Sequence, residues 1–305
     1  MDIDFELWLT LAVLIMGAVL LGHWIWRKFV VKEDPKAAGK NVKLKRPWAV
    51  EVSREYFGIL LFVLVLRTFL FEPNMIPSGS MLPTLTQGDF VLVKKYAYGL
   101  RLPVVNNKVL ELGSPERGDI AVFDSVEEEP RLFIKRIIGL PGDTIGFADD
   151  RWYLNGEPMS KDEVTKALPD DQELSIYKQS RRMPGFPSEQ RFIENVAGFE
   201  HYIWDIPGLN LDSRMQNWDG KRILPFVARA ENLTNTGWSV TVPEGHYFVM
   251  GDNRSSSSDS RVWGFLPDRN LKGKAFYLWM HKKPSAWWKL WDLTVSRNKS
   301  LDESL

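Results

Sequence analysis

The feature that most constrains this chain is an uncharged apolar stretch near its start, Leu7–Trp26 (LWLTLAVLIMGAVLLGHWIW), which is twenty residues long. At about 1.5 Å per residue, a helix of this length crosses roughly 30 Å of hydrocarbon. We therefore predict a transmembrane helix here. A cleaved signal peptide is the alternative, but such a peptide begins with basic residues, whereas here three acids precede the stretch and Arg27 and Lys28 follow it.

A second apolar stretch, Tyr56–Phe71 (YFGILLFVLVLRTFLF), is shorter and carries Arg67, whose long side chain can reach the lipid headgroups. We predict a second transmembrane helix. The alternative is a buried core helix or an interfacial segment, because sixteen residues are fewer than a span usually needs. Residues 27–55, between the two stretches, hold nine Lys/Arg and four acids. The positive-inside rule therefore places this loop in the cytoplasm of a multi-pass membrane protein.

This interpretation divides the chain into five parts: an outer tail at 1–6, transmembrane helix 1 at 7–26, a basic cytoplasmic loop at 27–55, transmembrane helix 2 at 56–71 and an outer, periplasmic domain at 72–305. The chain contacts the lipid bilayer through its two helices. Ser80 lies nine positions after Phe71, so it is within about 30 Å of the end of the second helix.

Composition removes several classes of function. The formal net charge is +0, with 39 basic and 39 acidic residues, which gives no support to nucleic-acid binding. The absence of cysteine excludes a disulfide scaffold, a thiolate metal site and a Cys nucleophile. The four histidines, at positions 23, 201, 246 and 281, lack ligand spacing, and no glycine-rich phosphate loop is present. We expect no metal and no cofactor.

Short runs rich in Val, Ile and Phe predict β-strands in the outer domain: Phe90–Lys94, Asp119–Phe123, Leu132–Gly139, Ser239–Val242 and Tyr247–Met250. Asn155-Gly156 predicts a tight hairpin, and no long amphipathic helix joins the strands, so the domain is predicted to be mainly β and antiparallel. Residues 160–235 are polar with weak periodicity and predict an inserted lobe or long loops. Trp287, Trp288 and Trp291, which lie among lysines, could contact the membrane or belong to the core.

A candidate nucleophile follows the second helix, in Pro77-Ser78-Gly79-Ser80-Met81. Gly79 permits a tight turn that exposes hydroxyl and N–H groups, as an attacking serine and an oxyanion hole require. Such a turn is also compatible with no catalytic role. His246 is one possible base, although its alternating strand equally suits a structural histidine.

Lys135 is the better candidate for the base. In Leu132–Ile138, alternation places Phe133, Lys135 and Ile137 on one face of a strand and Ile134, Arg136 and Ile138 on the other. Burial lowers the pKa of a lysine, and a fall of roughly three units would let it accept a proton near neutral pH. The alternative is that Lys135 reaches solvent or pairs with an acid such as Asp119.

A third segment, Gly251-Asp252-Asn253-Arg254-Ser255-Ser256-Ser257-Ser258-Asp259-Ser260-Arg261, follows a strand directly. Its alternating Asp and Arg residues could form a rigid platform, and a serine there could orient the lysine amine. A polar, serine-rich loop is the alternative interpretation.

Together these segments resemble the bacterial type I signal peptidases, or leader peptidases, which are membrane-bound serine–lysine proteases. The resemblance rests on two helices enclosing a basic loop and on five ordered motifs: IPSGSMLPTL (76–85), GDFVLVKKYAYG (88–99), RGDIAVF (117–123), FIKRIIGLPGD (133–143) and GDNRSSSSDSRVWGF (251–265). It implies an endopeptidase of the bacterial inner membrane that cleaves signal peptides of exported preproteins after small residues at −1 and −3.

By motif position, the resemblance implies that Ser80 is the nucleophile and Lys135 the general base. Ser78, with its hydroxyl, and Ser80, with its backbone N–H, would form the oxyanion hole. Ser257 would orient Lys135, and Asp259 and Arg261 would support the platform. The residues implied in substrate binding are Ile76, Pro77, Met81, Leu85, Phe133 and Ile134.

The sequence departs from relatives at Asn74, where an aromatic residue often stands, and in lacking the disulfide that some relatives carry. Two other functions stay open on the residues alone. Ser175-Ile176-Tyr177-Lys178 matches the S-x-x-K of penicillin-binding-type acyl transferases, although S-D-N and K-T-G are missing. A membrane-tethered chaperone or assembly module would not need Ser80.

Overall fold

The structure is a computed structural model that describes residues 5–29, 46–102, 107–126, 131–149, 151–164, 190–206, 228–229, 237–282, 293–294 and 298–302. It contains two compact units, one formed by residues 1–71 with 100–110 and the other by 72–99 with 111–305. The tryptophans at 287, 288 and 291 and the Ser175–Lys178 motif lie outside the described residues.

The first unit is built on two helices, α1 (Phe5–Phe29) and α2 (Trp48–Val65), and a π-helical turn, Leu66–Leu70, extends α2. Within α1, residues Leu7–Phe29 have a mean hydropathy of 2.0, and this is the one helix in the described part of the chain that is long and apolar enough to cross a membrane. Leu14 and Ile15 on α1 are more than 60% exposed. Such apolar exposure is unfavourable in water and suits a lipid environment.

Helix α2 begins eight residues before the apolar stretch that marks the predicted second span. Pro47 precedes its first residue, and a proline is well tolerated at a helix start because the first N–H groups have no partner within the helix. The early turns of α2 carry Glu51, Arg54 and Glu55, so only its later part is apolar. The helix therefore begins at Trp48, whereas the apolar stretch begins only at Tyr56.

The strands, numbered along the chain, are β1 (Phe71–Met75), β2 (Asp89–Lys94), β3 (Leu100–Arg101), β4 (Lys108–Leu110), β5 (Ile120–Asp124), β6 (Leu132–Gly139), β7 (Thr144–Ala148), β8 (Arg151–Leu154), β9 (Glu157–Pro158), β10 (Ser160–Glu163), β11 (Gln190–Val196), β12 (Phe199–Asp205), β13 (Ala228–Arg229), β14 (Trp238–Thr241), β15 (His246–Met250), β16 (Leu266–Pro267), β17 (Leu271–Lys282), β18 (Leu293–Thr294) and β19 (Lys299–Ser300). A one-turn helix, α3, spans Ser260–Trp263.

The second unit is mainly β, as predicted. Its central sheet has the order β1-β2-β17-β5-β6-β15-β16, with β18 and β19 also paired to β17, and the pairs β17–β5, β5–β6 and β6–β15 are antiparallel. A second sheet has the order β13-β14-β7-β8-β9. The predicted hairpin turn is confirmed, because Asn155 and Gly156 both have positive φ and join β8 to β9.

Both faces of the central sheet are buried, which explains why its strands look continuously apolar. On β5, Ile120 and Val122 belong to one hydrophobic cluster, whereas Ala121 and Phe123 belong to another. On β6, Ile134 joins the first cluster and Ile137 the second, as the predicted alternation requires. This sheet brings Lys135 into the interior of the domain.

The lobe predicted at 160–235 is more regular than its sequence suggests, because a three-stranded antiparallel sheet, β10-β11-β12, lies within it. The hairpin of β11 and β12 buries the polar side chains of Arg191, Glu194 and His201. Because these buried residues are polar, the sequence of the two strands lacks the usual alternation of apolar and polar positions, and its pattern predicts loops. The interpretation of this part as long loops is therefore wrong for residues 160–163 and 190–205.

Candidate active site

The structure brings Ser80 and Lys135 together. Strand β6 carries the lysine, and the turn after β1 carries the serine, 55 positions away in sequence. The Nζ atom of Lys135 lies 2.7 Å from Ser80 Oγ and 2.8 Å from the backbone oxygen of Ile134. Lys135 is 2% exposed and Ser80 is 8% exposed, so the contact is largely shielded from solvent.

The alternative pairing of Lys135 with Asp119 is wrong. Asp119 is occupied by Lys274, whose Nζ lies 2.7 Å away, and by the Tyr98 hydroxyl at 3.0 Å. No carboxylate in the described part of the chain lies within 4.0 Å of the Lys135 amine. The Phe133 ring, whose centroid is 5.5 Å from Nζ, covers the amine instead.

This environment lowers the pKa of Lys135 from 10.5 to about 8. Burial is the main cause, because the ammonium ion loses its hydration. The negative charges of Asp259 and Asp252 oppose the shift, and the positive charge of Arg261 adds to it. At neutral pH a pKa of about 8 leaves roughly one amine in ten uncharged.

The turn that carries Ser80 is fixed by Asn253. The backbone N–H of Asn253 donates to the Ser80 oxygen at 3.0 Å, and its side-chain Nδ2 donates to the Gly79 oxygen at 3.1 Å. In a trans peptide the C=O and the following N–H point in opposite directions, so the Ser80 N–H points away from Asn253. That N–H has no hydrogen-bond partner among the described residues, and the exposed Ser78 hydroxyl lies 3.4 Å from Ser80 Oγ.

Asp259 and Arg261 form a buried ion pair. Arg261 donates to the two Asp259 carboxylate oxygens from Nε and NH2, both at 2.7 Å. Burial opposes ionisation of Asp259, but the Arg261 guanidinium outweighs it and holds the pKa of the carboxyl below its usual value. Asp259 also accepts the Gly251 N–H at 2.8 Å, which fixes the start of the loop.

Ser257 lies in the same loop, but the structure does not join it to Lys135 by a hydrogen bond. Its Oγ atom is buried and has no partner with hydrogen-bond geometry among the described residues, although it is near enough to Asp259 to help lower the pKa of that carboxyl. A Cβ atom on Gly251 would collide with both Ser257 and the Ser80 oxygen. Gly251 therefore lets these two serines approach each other.

Arg136, next to Lys135 on β6, is held by Asp252. Its Nε and NH2 atoms donate to the two Asp252 oxygens at 2.9 and 2.7 Å, and its NH1 donates to the Gly118 oxygen at 2.8 Å. The Thr84 hydroxyl donates to the same carboxylate at 2.5 Å. This pair ties the strand of the lysine to the loop that contains Asn253.

The β11–β12 hairpin of the lobe supports this loop, a role that the sequence analysis missed. Arg254 forms a buried bidentate pair with Glu194 of β11, and the backbone N–H of Trp204 on β12 donates to the backbone oxygen of Asp252 at 2.9 Å. His201 lies 3.5 Å from Glu194 and 3.8 Å from Asp252. Burial, with Arg136 and Arg254 nearby, lowers its pKa well below the usual value, so it is neutral rather than an ion-pair partner.

The predicted substrate-binding residues differ in their exposure to solvent. Ile76, Met81, Leu85 and Ile134 belong to one hydrophobic cluster, and Met81 and Leu85 have no exposed surface. Pro77 is exposed and Phe133 is half-buried. Only part of this set is therefore available at the surface.

His246, the alternative base, lies on β15 and contacts the Glu244 backbone oxygen at 2.9 Å, not Ser80. Among the described residues, no group of three or more His, Cys, Asp or Glu side chains is arranged to hold a metal ion. The chemistry that this arrangement permits is attack by an activated hydroxyl beside a backbone N–H that has no hydrogen-bond partner among the described residues.

Comparisons with known proteins identify relatives of this chain. The sequence model of the family described as "Signal peptidase, peptidase S26" matches residues 49–280. Signal peptidase I of Pseudomonas aeruginosa is 36% identical over 301 residues, covering 92% of this chain and 93% of its own. Signal peptidase I of Pseudomonas fluorescens is 35% identical over 301 residues, with the same coverage, and that of Haemophilus influenzae is 32% identical over 327 residues, covering 91% and 88%.

Proposed function

Because this chain belongs to the signal peptidase S26 family, and is thus a serine endopeptidase that cleaves signal peptides from preproteins, we propose that Ser80 is its nucleophile and Lys135 its general base. The observation that carries the assignment is the 2.7 Å separation of Lys135 Nζ and Ser80 Oγ, with the amine buried and its pKa lowered to about 8. An activated nucleophile beside a base of suitable pKa is the requirement for covalent catalysis.

The reaction follows from this pair. Neutral Lys135 takes the proton of Ser80, and Oγ forms a bond to the carbonyl carbon of the scissile peptide. Collapse of the tetrahedral intermediate breaks the C–N bond, and the Lys135 ammonium gives its proton to the leaving nitrogen. The ester left on Ser80 is then hydrolysed by a water that Lys135 deprotonates, and the proton returns to Oγ. No cofactor is needed.

The negative oxygen of each intermediate would be stabilised by the Ser80 N–H and the Ser78 hydroxyl. The bonds from Asn253 to the Gly79 and Ser80 oxygens support this role, because they hold the peptide so that the Ser80 N–H points away from the loop. Rotation of the exposed Ser78 side chain would bring its hydroxyl to the same oxygen. Asn253 is thus a positioning residue for the oxyanion hole.

Ser257 would orient the Lys135 amine, and Asp259 and Arg261 would hold the loop that carries Ser257. The buried, unpartnered Ser257 hydroxyl supports this role, since it is free to bond an amine that turns toward it. Ile76, Pro77, Met81, Leu85, Phe133 and Ile134 would form the shallow pockets for small residues at −1 and −3, with the fully buried members as the floor.

The proposed membrane arrangement is that α1 and α2 both span the bacterial inner membrane, with the basic loop in the cytoplasm and the catalytic domain in the periplasm. Exposed apolar side chains on α2, such as Ile59 and Phe62 at 62% and 65%, support a lipid-facing helix. With Ser80 at most about 30 Å from the span, cleavage would occur near the bilayer surface, where a signal peptide keeps its apolar segment in the lipid.

The catalytic assignment is tested with full-length protein in detergent and a signal-peptide substrate. Ser80→Ala, Lys135→Ala and Lys135→Arg should each lower kcat/KM by about a thousandfold or more, since arginine stays protonated. Ser239→Ala and Lys272→Ala, outside the site, serve as matched controls. The wild-type rate should rise with pH through about 8 as the amine loses its proton. Substantial cleavage by Ser80→Ala or Lys135→Ala would refute the assignment of these two residues. A chaperone or assembly module, by contrast, would keep its function without Ser80.

The membrane arrangement can be tested because the chain has no cysteine, so single cysteines can be introduced without a background. We expect Glu157→Cys, in the catalytic domain, to react with a membrane-impermeant maleimide in intact spheroplasts. Asn41→Cys, in the basic loop, should react only after lysis. The opposite pattern, or labelling of both residues in intact cells, would contradict the proposed orientation.

A further inference from the structure

A cavity lined by basic residues lies between the end of α1 and the beginning of α2, within the first unit. Its volume is about 360 Å³. The residues that line it are Leu20, His23, Trp24, Arg27, Lys28, Arg46, Val50 and Arg54. Four of the eight are permanently or ordinarily cationic and none is acidic. We call this feature the basic cavity.

The cations of the basic cavity have no acidic partner within the part of the chain that the structure describes. None of Arg27, Lys28, Arg46 and Arg54 forms an ion pair with another described residue. Lys28 instead contacts aromatic rings, with its Nζ 4.8 Å from the Trp24 ring centroid. Like charges that converge on one cavity repel each other. An anion in the cavity would relieve this repulsion.

A second observation also indicates a polar occupant. The Nε2 atom of His23, another lining residue, is buried and has no hydrogen-bond partner among the described residues. A buried ring nitrogen without a partner is unfavourable, and a ligand oxygen could satisfy it. The guanidinium group of an arginine can donate two parallel hydrogen bonds to the oxygens of a phosphate. A phosphate group therefore suits both the charge and the hydrogen-bonding geometry of the lining.

We propose that the basic cavity binds the headgroup of an anionic phospholipid, with its phosphate between Arg27 and Arg54. The lining includes the apolar side chains of Leu20 and Val50 as well as cations, and α1 exposes apolar side chains along its length. A lipid matches this combination, because its acyl chains can follow the helix, whereas free phosphate matches only the cations. The proposal rests on the proposed membrane arrangement, which places the cavity at the cytoplasmic leaflet.

The test is native mass spectrometry of full-length protein released from detergent with palmitoyl-oleoyl phosphatidylglycerol or the corresponding phosphatidylcholine. Wild type should retain the anionic lipid in preference to the zwitterionic one. Arg27→Gln with Arg54→Gln should weaken retention by about tenfold or more. Arg27→Lys with Arg54→Lys, which keeps both charges, should restore most of the lipid retention. This recovery would show that misfolding does not cause the loss.

A matched control removes the same charge elsewhere. Arg151→Gln with Lys161→Gln, which removes two exposed cations of the second unit that do not line the cavity, should retain lipid like wild type. Equal loss in both Gln double variants, or equal retention of the two lipids by wild type, would overturn the proposal. Displacement of the lipid by millimolar inorganic phosphate would also overturn it, because the cavity would then be a site for a free anion. Ser80→Ala should bind normally, so failure of the catalytic assignment would leave this result unaffected.

Discussion

Two adjacent residues of strand β6, Lys135 and Arg136, are both buried cations, but they differ in their hydrogen-bond partners. Lys135 and Arg136 are 2% and 3% exposed and point to opposite faces of the sheet. Arg136 is neutralised by a bidentate pair with Asp252 and a further bond to the Gly118 oxygen. Lys135 receives no carboxylate among the described residues, only the Ser80 hydroxyl and a backbone oxygen.

The difference separates a structural cation from a reactive one. A buried ammonium without a counterion is unstable, so its pKa falls, whereas a buried guanidinium keeps its charge and must be paired. Asp252 and Asp259 lie near Lys135, yet both are already bonded to arginines. The acidic residues of the loop thus hold the site together while leaving the amine able to lose its proton.

The largest effect should come from removing the paired cation. Arg136→Met leaves the Asp252 carboxylate, which has no exposed surface, without its main partner. We expect the free energy of unfolding to fall by about 3–5 kcal/mol, the usual result of breaking a buried ion pair. Guanidinium denaturation of the detergent-solubilised protein, followed by tryptophan fluorescence, measures this.

The matched control for this prediction removes the carboxylate as well. Arg136→Met with Asp252→Asn should be more stable than Arg136→Met alone, because no unpaired charge stays buried. If the single variant loses less than about 1 kcal/mol, Arg136 is not the structural cation that the comparison with Lys135 requires.

Much of the fold could be predicted because its signals are local. The five predicted strands and the Asn155-Gly156 hairpin follow from alternation and turn chemistry, and the structure confirms them. The sheet within 160–235 could not be predicted from the same rules. Arg191, Glu194 and His201 are buried there, and Glu194 pairs with Arg254, which lies far away in sequence. The spacing of apolar residues along the chain gives no information about such partners.

In the site, too, features with local sequence signals could be predicted and features that depend on distant contacts could not. Ser80 and Lys135 stand out by their motifs, and the structure brings them together as those motifs predict. The partners of Asn253 could not be read from the sequence, because they depend on how its loop meets the Ser80 turn. The sequence also leaves the pairing of Lys135 open, because it does not show that Lys274 and Tyr98 are the partners of Asp119.

A smaller effect, of opposite sign, should come from removing the unpaired cation. The fall of the Lys135 pKa from 10.5 to about 8 corresponds to about 3 kcal/mol of destabilisation at neutral pH, at about 1.4 kcal/mol per unit. Lys135→Met removes this cost and loses two hydrogen bonds of about 1 kcal/mol each. We expect the variant to be inactive but about 1 kcal/mol more stable at pH 7.

The pH dependence identifies the cause of this gain. Folded wild type binds the Lys135 proton more weakly than the unfolded chain does, so its stability rises with pH between about 8 and 10.5, where only the unfolded chain is still protonated. The advantage of Lys135→Met should therefore be full below about pH 8 and shrink as the pH approaches 10.5. A gain that stays constant from pH 7 to 10 would come from better packing of methionine, and a loss of stability at pH 7 would mean that Lys135 is held by favourable contacts like those of Arg136.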